Sequence, residues 1–184
     1  MARIILITGG ARSGKSAYAL TRGEALPGQR LFIATCPTVD REMGERVRRH
    51  REERRGRGWE TIEEERDLGK VLAGPGRDYA VLLIDCLTLW VNNLLHDHQT
   101  VAGEEFTDRH LAEHCRLCLQ AVEDHPGTLI WVTNEIGQGI VPDNPLARQY
   151  RDLVGTANQF LGKTADEVIL VSCGIALPLK TSQP

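Results

Sequence analysis

The sequence lacks a long apolar run and a strong net charge, and its cysteines are odd in number. Each of these features limits the classes of protein to which the chain can belong. No stretch approaches the run of about 20 apolar residues that crosses a bilayer, so no membrane span is expected. The formal net charge of −3 gives no reason to expect a nucleic acid as a partner. The five cysteines are odd in number and spread along the chain, which favours reduced thiols in a cytoplasmic protein over a disulfide framework.

The composition is that of an ordinary globular protein. Of the 184 residues, 41% are hydrophobic and 26% are charged, a mixture that can bury a substantial core without covalent staples. We therefore expect one catalytic domain spanning residues 1–184. The first apolar run, residues 4–7, is too short for the core of a signal peptide, which agrees with a cytoplasmic location.

Short β-branched runs alternate with longer helical patterns along the chain. Near-continuous apolar runs are typical of parallel strands covered on both faces, and their alternation with helices predicts an α/β domain. The predicted strands are Arg3–Thr8, residues 30–35, Val81–Asp85, residues 128–133 and Glu167–Ser172, with a candidate edge strand over residues 174–180. The predicted helices are Lys15–Glu24 and residues 41–54, 87–95, 105–123 and 144–164.

A glycine-rich loop follows the first predicted strand. Residues 9–16 read GGARSGKS, which fits the pattern G-x-x-x-x-G-K-S/T between a strand and a helix. In such a loop several backbone N–H groups converge on one phosphate, and the following helix directs the positive end of its dipole at the same point. Lys15 could reach the β- and γ-phosphates, and the Ser16 hydroxyl could ligate Mg²⁺. The pattern favours a nucleoside triphosphate site over a chance glycine-rich turn.

The strand Val81–Asp85 ends in a carboxylate. Enzymes with this kind of phosphate loop hold Mg²⁺ with an acidic residue from a neighbouring strand, either directly or through water. Asp85 is the candidate for that role. The alternative is an aspartate that caps the next helix.

Residues 46–57 contain seven arginines around His50. Met43, Val47, His50 and Arg54 would share one face of a helix, because they are spaced by four, three and four positions. The arginines would attract phosphate oxygens and disfavour the protonated imidazole, and a neutral imidazole could attack phosphorus. From these residues alone, a solvated basic helix with an incidental histidine is the competing interpretation.

Three stretches, taken together and in order, resemble one enzyme family. They are ILITGGARSGKS at residues 5–16, an acidic and arginine-rich segment with His50 followed by Trp59, and VTNEIGQGIVPDNPLARQYRDLVGTAN at residues 132–158. The set resembles the bifunctional adenosylcobinamide kinase / adenosylcobinamide-phosphate guanylyltransferase family of cobalamin biosynthesis. The resemblance covers about residues 3–180.

This resemblance implies two reactions. In the first, a nucleoside triphosphate phosphorylates the aminopropanol hydroxyl of adenosylcobinamide. In the second, GTP loses pyrophosphate and leaves GMP on an enzyme histidine, and the cobinamide phosphate displaces that histidine to give adenosyl-GDP-cobinamide. The family also implies a P-loop NTPase fold of the RecA-like type, GTP and ATP as substrates, Mg²⁺ as cofactor and a homotrimer.

The resemblance assigns roles residue by residue. The guanylylated histidine falls on His50, and Lys15 is the second expected catalytic residue. The implied nucleotide contacts are Gly9, Gly10, Ala11, Arg12, Ser13, Gly14, Lys15, Ser16, Ala34, Thr35, Cys36, Arg51, Glu52, Glu53, Arg54, Glu63 and Asp85. Mg²⁺ is expected at Ser16 and Asp85. The segment between His50 and Trp59 is one residue longer than the family pattern, which leaves Arg54 and Arg55 as alternatives for one contact.

Other patterns admit more than one interpretation. Residues 133–139 follow the fourth predicted parallel strand, and we expect them to line the cobinamide side of the cleft through Asn134 and Glu135 or to form a structural loop. The helical spacing of His110, His114 and Cys118 could suit zinc, but Cys118 also belongs to a core stripe, which is the favoured interpretation. For the whole chain, the competing functions are a simple small-molecule kinase without a covalent intermediate and a non-catalytic nucleotide-binding regulator.

Overall fold

The structure, a computed structural model, describes residues 2–37, 48, 51–52, 54–102 and 105–181. In this part of the chain, seven strands form one sheet in the order β3-β2-β4-β5-β1-β6-β7. The strands are β1 (Arg3–Thr8), β2 (Arg30–Ala34), β3 (Trp59–Glu63), β4 (Val81–Asp85), β5 (Thr128–Val132), β6 (Glu167–Ser172) and β7 (Ile175–Lys180). The helices are α1 (Lys15–Glu24), α2 (Leu68–Ala73), α3 (Leu87–Asp97), α4 (Asp108–Ala121) and α5 (Pro145–Thr164).

All neighbouring strands are parallel except β7, which runs antiparallel to β6. Alternate residues of the inner parallel strands enter two separate cores. Ile4 and Leu6 pack on the side of α2 to α5, while Ile5 and Ile7 pack on the side of α1. Two covered faces explain why these strands are apolar almost without interruption. The predicted α/β class with a mostly parallel sheet is therefore confirmed.

The parallel register places one row of residues across the carboxyl end of the sheet. Glu63 of β3 pairs with Ala34 of β2, and Ala34 pairs with Asp85 of β4. The row continues from Asp85 to Val132 of β5 and then to Ile7 of β1. Because ligands of open α/β sheets bind beyond the carboxyl ends of the strands, this row marks the edge at which a site is expected.

Two elements differ from the sequence-based prediction. Strand β3 and helix α2 were not predicted, because WETIE has only two apolar residues among five at the sheet edge and α2 has only six residues. Trp59 anchors β3 by donating a hydrogen bond to Glu24 Oε1 at 2.9 Å and by packing edge-on against Phe32. The predicted helix over residues 41–54 lies largely outside the described residues, although Arg48, Arg51, Glu52 and Arg54 are helical.

The zinc alternative on α4 finds no support. Cys118 is buried in the core together with Leu111 and Cys115, as the stripe predicted. The His110 ring instead helps to cap α4, since its Nδ1 lies 3.3 Å from the backbone nitrogen of Thr107. Across the described ranges, no three His, Cys, Asp or Glu side chains cluster as metal ligands do. Nor does any helix of this part of the chain have the length and apolar character needed to cross a membrane.

Asn93 ties the end of β2 to the segment before α2. Its side-chain amide is buried on α3 and donates to the carbonyl of Thr35 at 2.9 Å and to that of Glu65 at 3.0 Å. The same amide therefore satisfies two backbone acceptors near the carboxyl edge of the sheet.

Replacing Asn93 with alanine should lower the free energy of unfolding by about 2 kcal/mol, because buried carbonyl groups lose their donor. Urea denaturation followed by circular dichroism measures the change. Asn92→Ala is the matched control, since Asn92 is exposed on the same helix and its loss should change stability by at most about 0.5 kcal/mol. Equal effects of the two substitutions would contradict the assigned role of Asn93.

Candidate active site

The glycine-rich loop between β1 and α1 is held at both sides by backbone hydrogen bonds. The N–H of Gly174, in the turn between β6 and β7, donates to the carbonyl of Ser13 at 2.9 Å. On the other side, the N–H of Glu135 donates to the carbonyl of Gly9 at 3.3 Å. The loop is therefore fixed between the turn after β6 and the segment after β5.

The first turn of α1 is open to an anion. Gly14 is its N-cap with a φ of 96°, a left-handed conformation that glycine adopts without strain. Among the residues that the structure describes, no side chain caps this helix end, and its first turn contains no acidic residue. The N–H groups of a first helical turn have no partner within the helix, so this end of α1 offers donors and a positive dipole. The buried Ser13 hydroxyl also has no hydrogen-bond partner among the described residues.

Lys15 folds back over this loop. Its Nζ donates to the carbonyl of Gly10 at 3.1 Å. The side chain thus lies along the loop. Together with Ser16 it lines a cavity of about 230 Å³ at the carboxyl edge of the sheet. The residues lining this cavity are Lys15, Ser16, Phe32, Ala34, Cys36, Arg51, Arg54, Glu63, Asp85, Cys86, Thr88, Leu89 and Asn134.

Asp85 enters the cavity from the end of β4 and does not cap the next helix. The N-cap of α3 is Cys86, and no side chain closes that helix end. Ser16, in the first turn of α1, and Asp85, at the end of β4, both carry side-chain oxygens and line the same cavity. Mg²⁺ is typically held by one or two such protein oxygens, with phosphate and water completing its shell, so this pair could hold it.

Arginines enter the cavity from the segment that follows position 50. Arg51 forms an ion pair with Glu63, the last residue of β3. Arg54 is only 6% exposed, and its guanidinium carbon lies 3.6 Å from the centroid of the Phe32 ring. Stacking of this kind stabilises a buried guanidinium and fixes its orientation. Arg55 is exposed and does not line the cavity, so the geometry favours Arg54 over Arg55 as the nucleotide contact.

The residues after β2 divide into two groups. Ala34 and Cys36 line the cavity, but Thr35 is completely buried. The Thr35 hydroxyl donates to the carbonyl of Cys86 at 2.8 Å and accepts from the N–H of Cys86 at 2.7 Å. Thr35 therefore joins the ends of β2 and β4 and does not present its side chain to a nucleotide. Glu52, also an expected contact, is exposed and lies outside the cavity wall.

Cys86 lies in the cavity wall but is not a candidate nucleophile. Burial, with a smaller contribution from the charge of Asp85, raises the pKa of the Cys86 thiol to about 11. The thiolate is the reactive form of cysteine, so this side chain is overwhelmingly protonated at neutral pH.

Sequence reasoning also missed members of the site. Phe32 and Leu89 were treated as ordinary strand and helix residues, although both line the cavity. Asn158 of α5 was not singled out, yet its amide contacts the segment after β5. The available signal for Asn158 was its position, since it is a polar residue on the otherwise apolar face of α5. Of the expected site residues, His50 and Glu53 lie outside the described part of the chain.

The sheet is mostly parallel, its first loop can bind a phosphate, and an acidic strand end faces that loop. This is the architecture of a P-loop NTPase. Within this class, the chain belongs to the cobinamide kinase / cobinamide phosphate guanyltransferase family, whose profile matches residues 5–179. The match confirms the resemblance drawn from the motifs. The chain is thus an enzyme of a family named for a kinase and a nucleotidyltransferase activity.

Individual relatives match over nearly their whole length. The bifunctional adenosylcobalamin biosynthesis protein CobU of Escherichia coli strain K12 is 38% identical, over 96% of this chain and 99% of the relative. CobU of Salmonella typhimurium strain LT2 is also 38% identical, with the same coverage. The bifunctional adenosylcobalamin biosynthesis protein CobP of Pseudomonas aeruginosa PAO1 is 39% identical over 95% of this chain and 96% of the relative.

Solved structures agree on the fold. An ATPase from the type III secretion system of pathogenic bacteria superposes with a TM-score of 0.56 at 14% identity, over 91% of this chain and 50% of that one. An ATP synthase subunit, NeqB from Nanoarcheaum equitans, gives a TM-score of 0.59 at 12% identity, over 93% and 45% of the two chains. The chain thus spans about half the length of these ATPases or less, and the likeness confirms the P-loop NTPase fold alone.

Replacing Arg54 with methionine should weaken GTP binding by about 10- to 100-fold, since a charge-assisted hydrogen bond contributes about 1.5–3 kcal/mol. Methionine retains much of the apolar packing against Phe32 and removes the guanidinium. Titration calorimetry measures the dissociation constant. Arg55→Met is the matched control, because Arg55 is exposed and outside the cavity wall. A larger loss of affinity for the Arg55 variant would reverse the assignment.

Proposed function

We propose that this enzyme phosphorylates the aminopropanol hydroxyl of adenosylcobinamide and then transfers GMP from GTP to the product through a guanylyl-histidine at His50. One observation carries the proposal: Arg51, which directly follows His50 in the chain, lines the same cavity as Lys15, Ser16 and Asp85. The residue that directly follows the proposed nucleophile therefore borders the triphosphate cavity. The whole chain would act as one catalytic domain, because all described strands belong to one sheet.

The phosphoryl-transfer step uses the γ-phosphate of a nucleoside triphosphate, ATP or GTP. The acceptor hydroxyl attacks the γ-phosphorus, the bond to the bridging oxygen breaks, and the nucleoside diphosphate leaves. Loop N–H groups and Lys15 would stabilise the charge on the transferred group. Mg²⁺ held by Ser16 and Asp85 would supply further charge neutralisation on the phosphates.

The guanylyl-transfer step uses the α-phosphate of GTP. The His50 imidazole attacks the α-phosphorus, forming a P–N bond while pyrophosphate leaves. An oxygen of the cobinamide phosphate then attacks the same phosphorus and releases the imidazole. Arg51 and Arg54 support this step, because guanidinium groups at the cavity wall can neutralise the five-coordinate phosphorus and the departing pyrophosphate.

The cobinamide is proposed to approach from the segment after β5. Asn134 lines the nucleotide cavity, and the chain beyond it carries Ile140 and Val141, which are 95% and 61% exposed. Exposed apolar side chains in the segment that continues from a cavity residue suit a large ligand that has both apolar edges and amide groups. This supports the predicted cobinamide side of the cleft over a purely structural loop.

Labelling with GTP that carries the label in its α-phosphate tests the covalent step. Wild-type protein should retain acid-labile label after denaturation, and His50→Ala should retain none, because the P–N bond cannot form. Lys15→Ala should lose both labelling and phosphoryl transfer, because the triphosphate loses its principal cation. His96→Ala is the control, since the His96 side chain is 71% exposed and lies outside the cavity wall.

The other outcomes decide between functions. Cobinamide-dependent ADP or GDP formation without any label on the wild type would identify a simple kinase. Nucleotide binding without either reaction would identify a regulator. Full labelling of His50→Ala would show that the nucleophile is a different residue.

We further propose a cytoplasmic homotrimer. All five cysteines are free thiols, as is usual in a reducing compartment. The edge strand β7 carries Ile175, Leu177 and Leu179 on alternate positions, and each is more than half exposed. An apolar edge face of this kind favours contact with another protein chain.

Leu177→Lys should shift the protein from trimer toward monomer, because a buried lysine would carry an unpaired charge into the interface. Sedimentation velocity measures the mass distribution. Leu117→Lys is the matched control, since Leu117 is a similarly exposed leucine on α4, away from β7. A wild type that sediments as a monomer would refute the trimer, and a Leu177 variant that stays trimeric would remove β7 from the interface.

A further inference from the structure

A carboxylate outside the cavity wall is held firmly beside the phosphate loop. Glu135 Oε1 accepts a hydrogen bond from the hydroxyl of Thr8 at 2.5 Å and one from the amide of Asn158 at 3.2 Å. The backbone N–H of the same residue donates to Gly9 in the loop. Glu135 is therefore fixed to the end of β1, to the phosphate loop and to α5 at once.

The Asn158 amide is itself oriented by two partners. Its Oδ1 accepts from the Thr133 hydroxyl at 2.7 Å, and its Nδ2 donates to the carbonyl of Asn134 at 3.2 Å. These contacts fix which side of the amide faces Glu135. Both hydrogen bonds to the carboxylate fall on Oε1, so among the described contacts Oε2 is left to accept from a ligand.

The position of this carboxylate relative to the cavity follows from its neighbour. Asn134, one residue earlier, lines the cavity together with Lys15, Ser16 and Asp85. Glu135 is therefore one residue from the cavity wall, with its backbone bonded to the loop that would bind the phosphates. This is the side from which the acceptor substrate is proposed to enter.

We propose that Glu135 is the base of the phosphoryl-transfer step, an inference that rests on the function proposed above. As the acceptor hydroxyl oxygen bonds to the γ-phosphorus, its proton passes to Glu135 Oε2 and the nucleoside diphosphate leaves. The resulting carboxylic acid returns its proton to solvent. Asn158 is a positioning residue, since it acts on the reaction through Glu135.

Two other carboxylates near the cavity have other partners or proposed roles. Glu63 forms an ion pair with Arg51, and Asp85 is the acid that could hold Mg²⁺. Of the carboxylates considered at this edge of the sheet, Glu135 is held by neutral donors alone. Among its described contacts, this carboxylate is therefore bound neither to a guanidinium nor at the candidate metal site.

The two transfer steps differ in their need for a base. The acceptor of the first step is an alcohol, whose oxygen must lose a proton as the new P–O bond forms. The nucleophiles of the second step are a neutral imidazole nitrogen and a phosphate oxygen, and a phosphate monoester with a second pKa of about 6 is largely deprotonated at neutral pH. Removing the base should therefore affect one activity and spare the other.

Glu135→Gln is the decisive variant, because glutamine keeps the shape and an oxygen acceptor for Thr8 but cannot take the proton. Three rates are measured: phosphoryl transfer to adenosylcobinamide, self-labelling by α-labelled GTP, and GMP transfer to supplied adenosylcobinamide phosphate. The kcat of phosphoryl transfer should fall by about 10²- to 10⁴-fold, while the KM for nucleotide and the other two rates stay close to wild type.

Glu167→Gln is the matched control. Glu167 is a buried carboxylate at the start of β6, at the opposite edge of the sheet, where it pairs with Arg3 and Arg22. Its replacement should lower stability and leave the ratio of phosphoryl transfer to GMP transfer at the wild-type value. Asn158→Ala should lower that ratio by a smaller factor than Glu135→Gln, because it loosens the carboxylate without removing it.

The outcomes separate the two proposals. A Glu135→Gln enzyme that phosphorylates at the wild-type rate, or that loses all three activities in proportion, would overturn the assignment of the base. A wild-type enzyme that performs neither transfer would refute the proposed function instead.

Discussion

The whole site depends on the register of parallel strands. Because Glu63, Ala34, Asp85, Val132 and Ile7 are register partners, the loops that leave these five strands begin at one level of the sheet. A phosphate loop, an acidic strand end and a polar segment then face one another although they come from distant parts of the chain. A shift of one residue in any of these strands would turn its end to the other face of the sheet.

Much of this arrangement could be predicted from local sequence. The phosphate loop has a fixed spacing and fixed flanks, and β1, β4 and β6 were bounded correctly, because strands buried on both faces carry long apolar runs. Strand β3 was missed because an edge strand needs only half of its residues to be apolar. The hydrogen bonds of the Thr35 and Asn158 side chains could not be predicted, because their partners lie 51 and about 24 positions away in the chain. Such pairs form only once the strands are aligned.

Under the proposed function, one cavity would serve two transfers, which place different demands on its lining. The γ-phosphate would meet an alcohol, whereas the α-phosphate would meet an imidazole, and the same loop and cations would hold the triphosphate in both cases. The described side chains fall into two groups, one for each proposed transfer. Arg51 and Arg54 line the cavity from the segment that follows position 50, while Asn134 lines it from the segment after β5, and Glu135 follows Asn134 with its N–H bonded to the phosphate loop. Separate walls would allow each proposed reaction to have its own reactive group without a second nucleotide site.

The tight turn between β6 and β7 connects the phosphate loop with the exposed edge strand of the sheet. Cys173 and Gly174 both have positive φ, which closes the hairpin in two residues, and the Gly174 N–H binds the phosphate loop at Ser13. The same hairpin carries the exposed apolar strand β7. In the proposed trimer, a contact at β7 would therefore also restrain the backbone of the phosphate loop, which would couple subunit association to triphosphate binding through a single amide.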